Sequence, residues 1–453
     1  MNAEPYKSYK PASAAWLNGL PATWDQVRGR FVMGVNPSAQ RARQLSGADE
    51  VSFVPMEAVG EYGGLNLERT KPLDEIGAGY TAFEDGDVVV AKITPCFENG
   101  KGALAKGLRN GVAFGTTELH VLRAGNRLNR RFLFYLTISH TFRALGESEM
   151  YGAGGQKRVP PEFPKDFRIP LPPAGDQEII ARFLDLKTIQ IDSLVEHKQQ
   201  LIEKLREKRQ ALVELTVTSG LPPEAARAAG FEPHSGKTAA QLAWLDRVPA
   251  HWQVLPMTKY LSDMSDYRGK TPEKTDDGVF LVTARNVRMG FIDYESSQEF
   301  VAADEYDEIM RRGLPKIGDI LFTTEAPLGN VALVDRENIA LAQRIIRFRM
   351  RKSRFHSPFV LYAMLADYFQ TQLKSLSTGS TAEGLKSSKL SALRLVAPPI
   401  PEQEAIASFL DTECKRIDEQ IAIATLAIEK LQEYRQSLIT SAVTGMIDVR
   451  ESA

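Results

Sequence analysis

The sequence predicts an α+β fold written twice: two similar α+β domains joined by two long helices that pair as an antiparallel coiled coil, with a pseudo-two-fold internal repeat. Three observations predict it. The phrase PPAGDQEIIARFLD at 172–185 returns as PPIPEQEAIASFLD at 398–411, an offset of 226 in a chain of 453 residues. Residues 171–218 align with 397–444 without a gap at 21 identities in 48 positions, and WLNGLPATW at 16–24 is echoed by WLDRVPAHW at 244–252. Between the repeated segments the apolar spacing changes to that of short strands and short helices.

The first variable region, 1–170, carries strand patterns in VSFVPMEAV and DGDVVVAKI and a helical pattern in RRFLFYLTISHTFRAL. The second, 241–397, repeats the theme with strands GVFLVTARNV, IGDILFTT and RIIRFRMR and the helix SPFVLYAMLADYFQTQL. Gly86-Asp87-Val88 and Gly318-Asp319-Ile320 turn the chain into a strand at similar places in the two halves. Residues 219–240, rich in Gly, Pro, Ala and Ser, are expected to form a linker, and 446–453 a short tail.

The constant segments, 171–218 and 398–445, are expected to be helical. Each opens on Pro-Pro and then places carboxylates in the first turn, Asp176 and Glu178 or Glu402 and Glu404, where the helix dipole favours them. Alternating steps of four and three pick out Ile180, Leu184, Lys187, Ile191, Leu194, Lys198, Leu201, Leu205, Lys208, Leu212 and Leu215. In the second copy they pick out Ile406, Leu410, Glu413, Ile417, Gln420, Ala424, Ala427, Leu431, Tyr434, Leu438 and Ser441. Eight of the eleven positions in each copy are apolar or aromatic, which supports a coiled-coil seam over about five heptads. Some 40 residues at ~1.5 Å each make rods of roughly 60 Å. A head-to-tail duplication related by a two-fold sets the start of one rod beside the end of the other, with Ile191, Leu205, Ile417 and Leu431 in the seam.

Composition excludes some classes. Net charge is −1, so no overall field announces a polyanion, although local basic faces can bind phosphate in a neutral chain. Only Cys96 and Cys414 are present, which excludes a disulfide framework and suits a reducing cytoplasm. No run of 18 apolar residues spans a membrane, and the opening MNAEPYKSYKPASAAW lacks the apolar stretch of a secretory signal.

No catalytic constellation is expected. Ser235-Gly236-Lys237-Thr238 resembles the end of a phosphate loop, but Phe231 stands where the motif needs glycine. The six histidines are scattered and form no HExxH, so no metal site is expected. Asp185-Leu186-Lys187 and Glu196-His197-Lys198 lie on the first rod as solvated helix charge. No Asn-Pro-Pro-aromatic or Asp-Pro-Pro-aromatic tetrad is present.

Binding residues are sought among cations in the variable regions. RIIRFRMRKSR at 344–354, as a strand, sets Arg347, Arg349 and Arg351 on one face and Ile346, Phe348 and Met350 on the other. That arginine face suits phosphates or base edges; a solvated sheet face is the alternative. Tyr267-Arg268-Gly269-Lys270-Thr271-Pro272 is a cationic turn, and Arg285-Asn286 ends a strand. In the first region Arg41, Arg43, Lys92, Lys101, Arg127, Arg130, Arg131 and Gln156-Lys157-Arg158 fall in expected loops.

On these features the chain resembles, over its whole length, the specificity subunits of type I restriction-modification systems. The resemblance is carried by PPxxxQExIAxFLD at 172–185 and 398–411, IEKLxExRQ at 202–210 and 428–436, and AVTGMIDVR at 442–450. The Gly-Asp strands and the Gly-Ser-Thr-Ala turn at 379–382 add to it, and bring Ser380 and Thr381 among the expected contacts. The first half departs from that turn, offering Gly152-Ala153-Gly154-Gly155-Gln156-Lys157. The resemblance implies a non-catalytic DNA-reading chain. Its two target-recognition domains, 1–170 and 241–397, each read half of a bipartite, asymmetric site, while the constant helices scaffold two modification (methyltransferase) subunits and the restriction subunits. S-adenosylmethionine would belong to the modification partner, ATP and magnesium to the restriction partner, and no cofactor to this chain. Two other readings remain beside it: a coiled-coil scaffold that binds no DNA, and a fused restriction or methyltransferase enzyme.

Overall fold

The computed structural model describes residues 4–77, 79–153, 155–233, 236–267, 272–377 and 384–451. Two compact units divide it, 1–199 with 425–453 and 200–424, so each unit holds one variable region and parts of both long helices.

In the first unit, β1 (Asp25–Arg28) and β2 (Met33–Val35) precede β3 (Glu50–Val54), β4 (Thr70–Pro72), β5 (Thr81–Glu84), β6 (Val88–Ala91), β7 (Gly102–Leu104), β8 (Val112–Gly115) and β9 (Leu119–Ala124). All but β1 form two four-stranded sheets, ordered β4-β3-β8-β5 and β2-β9-β6-β7, with β3 and β8 parallel. Strand β6 is buried on both faces, which is why VVVA lacks polar alternation. Val88 and Val90 pack beneath the helices α1 (Arg130–Ile138) and α2 (His140–Ser148), whereas Val89 and Ala91 pack toward the other sheet with Phe83 and Ala113. Asn129 caps α1 by accepting Arg131 N, and Ser139 caps α2 by accepting Phe142 N. Then β10 (Arg168–Leu171) pairs with β1 and leads into the long α3 (Ala174–Ser219).

The segment after α3 holds structure of its own. Pro223–Ala228 is helical, and Lys237–Leu242 pairs with Leu245–Pro249 as a hairpin in the second unit, where a linker to residue 240 was expected. There follow β11 (Gln253–Pro256), β12 (Leu261–Asp266), β13 (Val279–Val282), β14 (Phe300–Val301), β15 (Ile320–Thr324), β16 (Leu328–Leu333), β17 (Ile339–Leu341) and β18 (Ile345–Met350). Helices α4 (Ser357–Leu365) and α5 (Asp367–Leu376), strand β19 (Arg394–Ala397) and the long α6 (Ile400–Val443) follow. The sheets, β12-β18-β15-β16 and β14-β13-β17 with β13 and β17 parallel, repeat the first unit's strand order, the second sheet lacking a counterpart of β5; β11 with β19 restates β1 with β10.

The long helices run antiparallel in both units. In the first, Arg435 of α6 pairs with Asp192 of α3 at 3.2 Å; in the second, Arg209 of α3 pairs with Asp418 of α6 at 3.0 Å. Asp192 and Asp418 are repeat equivalents, and so are Arg209 and Arg435, so one contact is made twice with its partners exchanged. Gln177, next to fully buried, accepts from Asn129 N (2.7 Å) and donates to Arg127 O (3.0 Å) and Pro172 O (2.8 Å). Gln403 likewise accepts from His356 N (2.9 Å) and donates to Arg354 O (3.0 Å) and Pro398 O (2.8 Å). Tyr135 donates to Asp185 at 2.6 Å and Tyr362 to Asp411 at 2.7 Å, with burial raising both phenols. The residues shared by the repeats thus clasp each domain to its helix.

Ile180, Leu184, Ile191, Leu205, Ile406, Leu410, Ile417 and Leu438 are buried, and Leu212 and Leu431 half-buried. The expected phase between them is corrected. Leu194, Leu201, Leu215 and Tyr434 are 49, 44, 62 and 52% exposed, while Val195, Ile202, Thr216 and Arg435, one residue later, turn inward. After Leu184 and Leu410 the inward step is four, to Thr188 and Cys414, where a step of three had been expected; fours and threes then alternate in the opposite order, so Ile191, Leu205, Ile417 and Leu438 stay inward while the positions between them move one residue on.

Candidate nucleic-acid interface

The Gly-Asp turn organises each variable region from the backbone outward. Gly86 and Gly318 take φ values of +96° and +84°, open to glycine without penalty. The aspartate that follows accepts the amide three residues back, Glu84 N to Asp87 and Lys316 N to Asp319, at 2.9 Å each. Its carboxylate then holds an arginine from the neighbouring strand in a fork. Arg123 reaches Asp87 through Nε (2.6 Å) and Nη2 (2.7 Å); Arg349 reaches Asp319 through the same atoms at 2.7 Å each.

Two expected DNA contacts are therefore corrected and a third reassigned. Arg347 is fully buried: it pairs with Asp319 at 3.0 Å and Asp263 at 2.6 Å and donates to Ser265 Oγ at 2.7 Å. Strand alternation placed it on one face correctly, but that face lies over the second sheet's core, with Leu321 opposite and Ile345 alongside. The Arg347 hydrogen bond in turn holds the Asp263 carboxyl below its usual range. Asn286 is also fully buried. It accepts from Thr283 N and donates to Asp293 O and Ser297 O, closing a loop on itself. Arg349, partly exposed, is the counterpart of Arg123 and is committed to Asp319.

The other expected residues fall into separate groups. Arg41 and Arg43 are exposed on a short 3₁₀ turn beside Glu84, whose carboxylate accepts Arg41 N at 2.7 Å. Lys101 is half-buried, its ammonium donating to Met56 O at 3.2 Å. Arg285 is exposed. Lys92, Gln156, Lys157 and Arg158 are brought together, because Thr94 N donates to Lys157 O, and Val159 N to Lys92 O. Arg268, Lys270, Thr271, Ser380 and Thr381 lie outside the described residues.

Sequence reasoning passed over Glu118, Glu325 and Arg344. Arg158 forks onto Glu118, with Nε 2.9 Å from Oε2 and Nη2 2.8 Å from Oε1, and this bond depresses the Glu118 pKa. Arg344 lies with Nε 3.0 Å from Glu325 Oε1, at a backbone φ of +75°. The signal was present in the 226 offset, which aligns Arg344 with Glu118.

Among the described residues no three His, Cys, Asp or Glu side chains gather to hold a metal, and no helix is long and apolar enough to cross a membrane. A family model for the Type I restriction modification DNA specificity domain matches residues 80–205 and 258–429. Relatives include the specificity subunits of the type I restriction enzymes EcoAI and EcoEI of Escherichia coli, 39% and 38% identical over 196 residues, 41% of this chain. The chain's match spans about a third of the length of each, 33% and 32%. The MjaVIII specificity subunit of Methanocaldococcus jannaschii is 24% identical over 98% of this chain and 97% of its own length. Two solved structures share the fold. A chain from work on complex assembly and conformational transition of the type I R-M system gives a TM-score of 0.66 at 18% identity, over 94% of this chain and 99% of its own. The HsdS subunit of Thermoanaerobacter tengcongensis gives 0.53 at 17%, over 94% and 98%. With its family model matched in both halves over about two thirds of the sequence, the chain belongs to the type I restriction-modification DNA specificity subunit family.

Proposed function

We propose that this chain is the DNA-reading and scaffolding subunit of a type I restriction-modification complex, working in the cytoplasm on double-stranded DNA and carrying no catalytic centre or cofactor of its own. One observation carries the reading most: the repeated residues clasp each domain to its helix identically, while the equivalent loops of the two domains carry different polar groups. Identical clasps suit two copies of one modification subunit; different loops suit the two halves of an asymmetric site. Exposed Arg41, Arg43, Lys157 and Arg285 and the half-buried Lys92 and Lys101, with Gln156, Arg268, Lys270, Thr271, Ser380 and Thr381, would position the duplex through its phosphates and bases. Methyl transfer from S-adenosylmethionine would be supplied by the modification partner, and ATP- and magnesium-dependent cleavage by the restriction partner.

The test is reconstitution. The chain with its modification partner should methylate a bipartite site and bind it with a strong salt dependence, and exchanging 241–397 for another member's region should change one half-site only. Methyl transfer by the purified chain alone, or altered methylation in both halves after the exchange, would overturn the reading.

A further inference from the structure

In each unit three backbone segments meet where the strand after the Gly-Asp turn ends. In the first, Lys92 N donates to Glu118 O at 2.9 Å and Val159 N to Lys92 O at 2.8 Å. In the second, Thr324 N donates to Arg344 O at 2.9 Å and Leu385 N to Thr324 O at 3.0 Å. These bonds superpose position 92 on 324, 118 on 344 and 159 on 385. Both corners carry an arginine–glutamate pair, yet the pairs are built from different positions. Arg158, of the third segment, lies on Glu118 of the second; Arg344, of the second, lies on Glu325 of the first. Where the first corner has Arg158 the second has Gly384, whose missing side chain would sit 3.8 Å from the Glu325 carboxylate.

Stability does not account for this. The side chains are 37 and 23% exposed in the first pair and 50 and 45% in the second, and ion pairs so wet add little. Arg344 moreover occupies left-handed backbone, which is unfavourable for a long side chain and tends to persist where a functional position requires it. Glu118 takes the Nε–Nη2 edge of Arg158, and Glu325 lies 3.0 Å from Nε of Arg344; Arg158 Nη1 has only a distant contact, 3.4 Å from Gln156 O. A guanidinium oriented on one side by a carboxylate and open at the other has the form that reads the O6 and N7 of guanine in the major groove.

We propose that Arg158 and Arg344 are guanine-reading groups, one for each half-site, held in the reading orientation by Glu118 and Glu325. The inference rests on the DNA-reading function proposed above and deepens it to named specificity residues.

The experiment uses the chain assembled with its modification partner, measuring the methylated motif by sequencing and binding to the cognate duplex and to single-base variants over a salt series. Arg344→Ala should lose about 5- to 150-fold of discrimination at one guanine of the second half-site and leave the first intact; Arg158→Ala should do the converse. Arg158→Lys and Arg344→Lys keep the charge and lose the fork, so they should show the same loss at the same base with melting unchanged, which separates reading from folding. Uniform weakening on every sequence, with the salt slope lowered by about one, would mean a phosphate contact and overturn the proposal. Unchanged motifs in both lysine variants, with the wild-type complex selective, would overturn it too while leaving the proposed function standing. A wild-type complex that chose no sequence would overturn both.

Discussion

Gln177 and Gln403 offer the sharpest test of the repeat as a physical device. Each side chain is at most 1% exposed, accepts one backbone N–H and donates to two carbonyls, joining the loop before the domain's first helix (or α4) to the Pro-Pro entry of the long helix. Truncation to alanine leaves one orphan donor and two carbonyls short of a partner in a space too enclosed for easy hydration. An unmet buried polar group costs about 1–3 kcal/mol, and carbonyls retain a second lone pair, so the sum should be about 3–5 kcal/mol. That is a large share of the about 5–15 kcal/mol by which domains are stable. Hydrogen exchange read by mass spectrometry on the full chain localises the effect. Gln177→Ala should release amides around 127–133 and 173–181 with 354–360 and 399–407 unchanged, Gln403→Ala the reverse, and the double variant should show both, since the clasps share no partner. Protection that survives in both single variants, or falls equally in the two units, would refute the reasoning.

Leu205→Asp should destabilise the chain by several kcal/mol, whereas Leu201→Asp, at a position 44% exposed, should change its melting by about 0.5 kcal/mol or less; equal effects would restore the discarded helix phase. Arg347→Ala should lower the stability of the second unit by about 3–5 kcal/mol, because Asp319 and Ser265 are buried around it, and a variant that melts like wild type would show the arginine to be dispensable to the core. Asp263 and Glu118 have depressed pKa values, set first by their bonds to Arg347 and Arg158. Their stabilisation is present above the unfolded carboxylate range near pH 4 and is lost as pH falls through the lower folded values, so Asp263→Asn should flatten the acid limb of a stability–pH curve. An unaltered limb would assign acid sensitivity elsewhere.

The repeat, the two rods and the Gly-Asp strands were legible because each is written in local pattern: an offset, a spacing, a dipeptide before an apolar run. The phase of the rods was not, since Leu194 and Leu201 compete with Val195 and Ile202 for one inward position and hydrophobicity alone does not decide between such neighbours. Strand alternation showed that Arg347 and Arg349 share a face but could not show what covers it. Their partner, Asp319, was in view in the Gly-Asp turn, yet the register that joins Ile320 to Phe348 exists only in the folded sheet. Arg344 was passed over for a related reason, although the 226 offset aligns it with Glu118. Its interest comes from Glu325 and from its equivalence to Glu118, neither of which is a neighbour in sequence.

The exchanged ion pairs, Asp192 with Arg435 and Arg209 with Asp418, bear on descent. A polypeptide of half this length, carrying one aspartate and one arginine at those places, could meet a second copy of itself through the same two contacts. Joining two such genes would keep the contacts and remove the need for the readers to be alike. From then on a change at Asp192 would be answered at Arg435, its partner in space, rather than at Asp418, its copy in sequence. On the proposed function, drift in one reader would leave the other untouched, so a lineage could acquire a new half-target by replacing a single cassette and keep its assembly throughout.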